Sequence, residues 1–253
     1  MVNRLIIPVS VFICFLLTQC DRKPDPPTII VEAEPTVSSL ISTFLDGSST
    51  YKDIPFSEVI KASCGNQVIP LDPNDEVDAL ILDEISRALD SCLSEFNGAE
   101  SPTGQEKRIS GVSFHFVTKI RELMDSAPGF SCDFPRTKEG NLQRSGYPDL
   151  RFVHEESGRV TYVEPKLVET GSLQSSLKTF YFTPKGETGK ILDDGHHLIL
   201  GIEHDGNTGA WKFLRWNLVD LANFRVRLKA EFQAENNDLY RSELIIRKSA
   251  NHL

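Results

Sequence analysis

The sequence predicts an α+β fold, with a mixed central sheet flanked by helices and an acidic helical part ahead of it. Three observations carry this. Two long segments repeat apolar residues at steps of three and four. Further along, short aromatic and β-branched runs lie in pairs around turn signals. Negative charge is concentrated before the second helical segment. With 253 residues, 40% hydrophobic and 25% charged, the chain has room for one sizeable domain with a smaller appendage, and its composition excludes wholesale disorder.

The formal net charge is −9, yet it is unevenly spread. Residues 21–100 carry 16 Asp and Glu against 5 Lys and Arg, a balance of −11; residues 101–253 carry 20 against 21, a balance of +1. The second part therefore does not repel a polyanion. Acidic side chains also meet phosphates when a divalent cation stands between them.

Residues 1–20, MVNRLIIPVSVFICFLLTQC, set Arg4 ahead of an apolar run from Leu5 to Leu17. That run is shorter than the roughly 20 residues a membrane-spanning helix needs, so it reads as a signal peptide. The ending LLTQC resembles a bacterial lipoprotein box and would make Cys20 the lipidated residue, although Gln19 stands where a small residue is usual. The expectation is an exported protein of the periplasm or cell envelope with a membrane tether through Cys20. Residues 21–35 are rich in proline and charge and read as an extended tether. Of the later cysteines, Cys64 and Cys92 are candidates for a disulfide in an oxidising compartment, with buried free thiols as the alternative. No CxxC spacing points to zinc.

Residues 36–100 form the acidic helical region. TVSSLISTFL predicts a short helix, and residues 79–96 a longer one through Leu82, Ile85, Leu89, Cys92 and Phe96. FNGAESPTG breaks the pattern and sets the boundary with residues 101–253. There, Ile109, Val112, Phe116, Ile120 and Leu123 mark a helix over 105–125, stopped by APG at 127–129. GFSCDF predicts a short strand. DLRFVHE and RVTYVEP predict two strands joined by ESG. KTFYFTP reads as a strand, HHLILGIEH and AWKFLRW as a pair around DGNTG, 218–232 as partly helical, and SELIIRK as a last strand.

The chemistry concentrates in GYPDLRFVHEESGRVTYVEPKLVE. Side chains alternate faces along a strand, so Glu164 and Lys166 share a face opposite Val163 and Pro165. Asp149 starts the neighbouring strand, where a hairpin brings it beside Glu164. Two carboxylates make a hard oxygen site of the kind that holds Mg²⁺ with several waters. Such an ion polarises a phosphodiester and supplies hydroxide near neutral pH, while a lysine stabilises the growing negative charge.

Pro148-Asp149, a gap of fourteen residues, then Glu164-Pro165-Lys166, resembles the PD-(D/E)XK signature of the restriction-endonuclease-like nuclease superfamily. The resemblance spans residues 105–205. It implies a restriction-endonuclease-like fold and Mg²⁺-dependent hydrolysis of DNA, in the manner of a type II restriction endonuclease. Asp149 and Glu164 would bind the ion with the carbonyl of Pro165, and Lys166 would assist the attacking water. Glu106 would supply the helix glutamate that many members add; on a 105–125 helix it lies about 80° from the centre of the apolar stripe. Lys178, Tyr181, Lys185 and Lys190 fall in a stretch that approaches DNA in some such enzymes. Cutting both strands of a duplex favours a homodimer. His196 and His197 face opposite ways in a strand, so at most one points at a site. Arg225, Arg227 and Lys229, with Lys212 and Arg215, form the most basic stretch, either a phosphate-contacting face or a solvated one. The alternative from another class is a non-catalytic exported lipoprotein that binds a protein or glycan partner.

Overall fold

The computed structural model describes residues 36–46, 51–175, 180–184, 189–229 and 234–247. The signal and tether readings of residues 1–35, Cys20 included, lie outside them. The described elements run α1 (Val37–Asp46), β1 (Ile54–Pro55), α2 (Phe56–Cys64), α3 (Glu76–Phe96), α4 (Ile109–Asp125), β2 (Phe130–Asp133), β3 (Leu150–His154), β4 (Arg159–Glu169), β5 (His196–His204), β6 (Phe213–Asp220), β7 (Arg225–Val226) and α5 (Asn236–Leu239). Among the described residues, no helix is long and apolar enough to cross a membrane.

Five strands form a mixed sheet in the order β2-β3-β4-β5-β6, parallel only between β4 and β5. β1 and β7 form a separate two-stranded pair. The β3–β4 hairpin closes through Glu155–Gly158, where Gly158 takes φ 70°, a conformation open to glycine without strain. Gly195, just before β5, sits so close to β4 that a Cβ would fall 2.5 Å from the Val160 carbonyl oxygen.

The sheet has two covered faces. On one, Val163, Leu150, Phe152, Leu198, Leu200 and Ile202 pack against Ile81, Ile85 and Leu89 of α3 and against Phe116 and Ile120 of α4. Each fully buried aliphatic side chain there contributes about 1.5–3 kcal/mol. On the other, Val160 and Tyr162 meet Phe56 and Ile60 of α2, Tyr147, Ile191 and Leu221. The division at residue 100 is thus one of charge; in packing, helices from both sides of it share a core.

Local chemistry explains the helix ends. Asp75 caps α3 by accepting from the backbone N–H of Val77 and Asp78, both at 3.0 Å. At its far end Asn97 exchanges two hydrogen bonds with the backbone of Phe213, at 2.8 and 3.0 Å, tying α3 to the edge strand β6.

Several expectations are corrected. The stripe of α3 runs through Ile81 rather than Leu82, and in α4 Met124 and Val117 are buried while Ile109 is exposed. α4 begins at Ile109, because Pro102–Gln105 forms a 3₁₀ turn and Glu106 and Arg108 are extended. Residues 180–184 and 242–247 hold no strand, and 218–229 hold the end of β6 and β7 rather than a helix. Cys64 and Cys92 do not pair: both are free, and they pack in different clusters on the two faces.

Candidate active site

The hairpin register places the two acids. Leu150 pairs with Val163, and both belong to the core beneath α3 and α4. One step further along the same antiparallel register, Asp149 stands opposite Glu164, and the period of two turns both onto the other face, with Lys166 beside them. Val163, Pro165 and Leu167 take the helix side. The ladder between β3 and β4 ends at Leu150–Val163, so Asp149 stands one residue beyond it.

Glu164 is 5% exposed. Its Oε1 accepts from Lys166 Nζ at 2.6 Å. Its Oε2 is buried and has no partner among the described residues. A buried carboxylate oxygen left unpaired carries a desolvation cost of about 1–3 kcal/mol, which a bound cation removes. Burial raises the Asp149 carboxyl to about 6, and the neighbouring Glu164 pushes it the same way; Lys166, Lys190 and Arg144 pull against them. Two carboxylates that share one face and resist joint ionisation fit a divalent cation.

The support behind Asp149 comes from the segment before β5. Tyr162 accepts at its hydroxyl from the N–H of Leu192 and Asp193, at 2.9 and 3.0 Å, and donates to Asp193 Oδ2 at 3.0 Å. Arg151 Nε donates to the same oxygen at 2.9 Å. Pinned this way, the segment delivers Lys190, 4% exposed, to the turn before Asp149. Its ammonium donates to the Gly146 carbonyl at 2.6 Å and to the Pro148 carbonyl. Lys190 is therefore corrected from a DNA contact to a buried tie of the site.

Beside it, Tyr147 pairs its hydroxyl with His197 Nδ1 at 2.7 Å. Burial raises the tyrosine well above its ordinary range, with Glu164 adding to the effect, and burial lowers His197 to about 3. His196 faces the other way and packs against the α3 N-terminus, its Nε2 3.1 Å from Asp78 Oδ1 and its Nδ1 3.0 Å from the Ile69 carbonyl. Neither histidine opens to solvent.

Glu106 does not join the pair. Its carboxylate turns back to His115 Nε2 at 3.2 Å, and its carbonyl accepts from Trp211 Nε1 at 2.7 Å, on the helix side of the sheet. Among the described residues no three acidic, histidine or cysteine side chains gather as a metal-binding group. The donor set for an ion is thus the two acids and backbone or water oxygens, the sparse type that Mg²⁺ takes.

Tyr181 is 65% exposed at the mouth of a cavity of about 140 Å³ that Lys190, Tyr147 and Gly146 also line. Lys178 and Lys185 lie outside the described residues. Sequence reasoning passed over Arg144 and Tyr147, which flank the acids. Tyr147 shares the alternation of 147, 149 and 151, the one signal that pointed to it.

A model of the type II restriction enzyme MjaV family matches residues 49–243. The type II restriction enzyme MjaV of Methanocaldococcus jannaschii is 30% identical over 203 residues, which cover 76% of this chain and 87% of that protein. The match takes in α2, α3 and β7 as well as the hairpin.

Proposed function

We propose that this chain, which belongs to the type II restriction enzyme MjaV family, is a divalent-metal-dependent endodeoxyribonuclease. The observation that carries the site assignment is the unpartnered, buried Oε2 of Glu164 on the same face as Asp149 and Lys166. Asp149 and Glu164 would hold Mg²⁺, with the Pro165 carbonyl as a further ligand. A bound ion supplies charge neutralisation at the phosphate and an acidified water. Lys166, already within hydrogen-bond reach of Glu164, orients that water and stabilises negative charge at the phosphate oxygens. Tyr147 and the Lys190 tie exclude water from the back of the site and keep Asp149 in register.

The experiment is plasmid cleavage by the protein with Mg²⁺, with EDTA, and as the Lys166→Ala and Glu164→Gln variants. Cleavage that disappears with EDTA and falls at least 100-fold in both variants supports the reading. A folded protein that leaves several DNA substrates intact under Mg²⁺ refutes it. Scission of both strands also favours two copies acting together, which light scattering with and without DNA tests. Export through residues 1–20 belongs to the same proposal and rests on sequence alone; equal activity in a cytoplasmic fraction, with that segment uncleaved, refutes it.

A further inference from the structure

We propose that Arg144 is a DNA-phosphate contact of this site, held in place by two aromatic rings. The assignment rests on the nuclease reading above and adds a residue to it. The Arg144 guanidinium carbon lies 4.3 Å from the Phe134 ring centre and 5.1 Å from that of Phe114. Among the described residues, no carboxylate or carbonyl takes its N–H groups, in contrast to Arg87, Arg151, Arg159, Arg215 and Arg225, each bonded to an acid. The rings fix where the charge sits, and the donors stay available.

The platform itself is otherwise unexplained. Phe114 is 52% exposed on α4, a poor place for a large apolar side chain with no partner. Phe134 follows β2 and packs partly into the main core, so it is a rigid support. Arg121, 5.6 Å from the centre of the same ring, backs it with a second cation. Asp133 pairs with Arg151, so one more step of the β2–β3 register sets Phe134 opposite Leu150, and the Arg144 stacked on it lies at the end of the sheet where Asp149 enters β3.

Electrostatics then says what its counter-ion is. Once a divalent cation occupies Asp149 and Glu164, the carboxylates are neutralised and Arg144 faces net positive charge. An anion that touches both cations resolves this, and a phosphate of the DNA chain has the bidentate geometry a guanidinium prefers.

The test measures DNA affinity as a function of KCl, with Mg²⁺, on the Lys166→Ala background, with and without Arg144→Gln, alongside cleavage rates of Arg144→Gln, Arg144→Lys and Phe114→Ala in the otherwise native chain. A phosphate contact predicts that Arg144→Gln lowers the slope of log affinity against log salt by about 1 and cleavage by roughly 10-fold or more. Arg144→Lys keeps the slope. Phe114→Ala, at an exposed position, also keeps it while slowing cleavage. Mn²⁺ affinity, read by titration calorimetry, does not fall in Arg144→Gln, because the change removes a positive charge near the acids. An unchanged slope and rate in Arg144→Gln, with the native chain still cutting DNA, overturns this assignment alone. A fall in Mn²⁺ affinity with an unchanged slope also overturns it, because Arg144 would then serve only to hold Asp149 in place. A native chain that neither binds nor cuts DNA removes the nuclease reading, and this proposal with it.

Discussion

The Lys190 ammonium donates to the carbonyl of Pro148, the residue immediately before Asp149, across 42 residues of sequence. It also holds the Gly146 carbonyl, so one buried cation fixes both ends of the short turn that aims the aspartate. Replacing it by methionine leaves two carbonyls without their donor and removes positive charge from beside an acid pair.

Lys190→Met is therefore expected to lower stability by about 2–4 kcal/mol and cleavage by more than 10-fold. Lys190→Arg does not restore either, since a planar fork does not fit a pocket shaped for one ammonium. Thermal melts and single-turnover cleavage check both; a variant with native stability and rate contradicts the tie.

Asp149→Asn is expected to stabilise the protein in EDTA near neutral pH while abolishing cleavage. The folded carboxyl sits at about 6 against an ordinary 3.8, so the native state binds the proton more tightly than the unfolded state. Stability of the native chain is then lost as pH rises from about 4 to about 6, and stays lost above that. The gain from asparagine is full at pH 7.5 and vanishes below pH 4. A rise of several °C, at roughly 2–4 °C per kcal/mol for a chain of this size, is the expected signal in paired melts at the two pH values.

Asp78 is buried at the start of α3, and its carboxylate receives Arg159, the backbone N–H of Asp72 at 2.9 Å and the nearby His196 ring. Asp78→Ala leaves Arg159 on Asp75 alone and takes the partner from the buried His196 Nε2 and the Asp72 N–H, beside a partly open cavity of about 270 Å³. A loss of about 1–3 kcal/mol in denaturant unfolding is expected. A loss under 1 kcal/mol means the network is not what docks α3 on β4 and β5.

Cysteine labelling separates the thiols by burial. Desolvation pushes the Cys92 thiol up to about 12 and Cys132 higher still, whereas Cys64 is half-buried. In the native full chain, peptide mapping after iodoacetamide treatment should find Cys64 modified and Cys92 and Cys132 protected until denaturant is added. Early modification of Cys92 would show that α3 opens locally.

The hairpin was legible because its information is local. Asp149 and Glu164 are fifteen residues apart, and period-two alternation with a glycine turn suffices to put them side by side. Lys190 was misread because its residue type is that of a DNA contact, while its burial is decided by Gly146, Pro148 and Tyr162, all more than 25 residues away in sequence. Phe180 and Phe182 kept the alternation of a strand with exposed Tyr181 between them, yet both turn toward Phe56, so side-chain packing imposed the period without a ladder. In 218–232 the spacing of Leu218, Leu221, Phe224 and Leu228 mimics a helix. Leu218 instead pairs with Leu200 inside β6, which runs to Asp220, and the Leu221 N–H bonds the His197 carbonyl at 2.9 Å. Glu106 was displaced because the 3₁₀ turn from Pro102 ends at Gln105 and leaves Glu106 and Arg108 extended, so the helix starts only at Ile109.

The single parallel pairing in the sheet gives the site an order of assembly in time. β3 and β4 meet through a four-residue turn, so the two acids come together as soon as that hairpin closes. β4 and β5 run parallel, and the chain must travel back along the whole strand through residues 170–195 before Lys190 arrives. Closing the longer span costs only about 1 kcal/mol more in chain entropy, yet it waits on docking of the returning segment. During synthesis and refolding, the acid pair is expected to form before its tie, so that pulse-labelled amides of β3 gain protection earlier than those of β5. A newly made chain is therefore expected to pass through an interval in which its two acids already face each other and its aspartate is still loosely aimed.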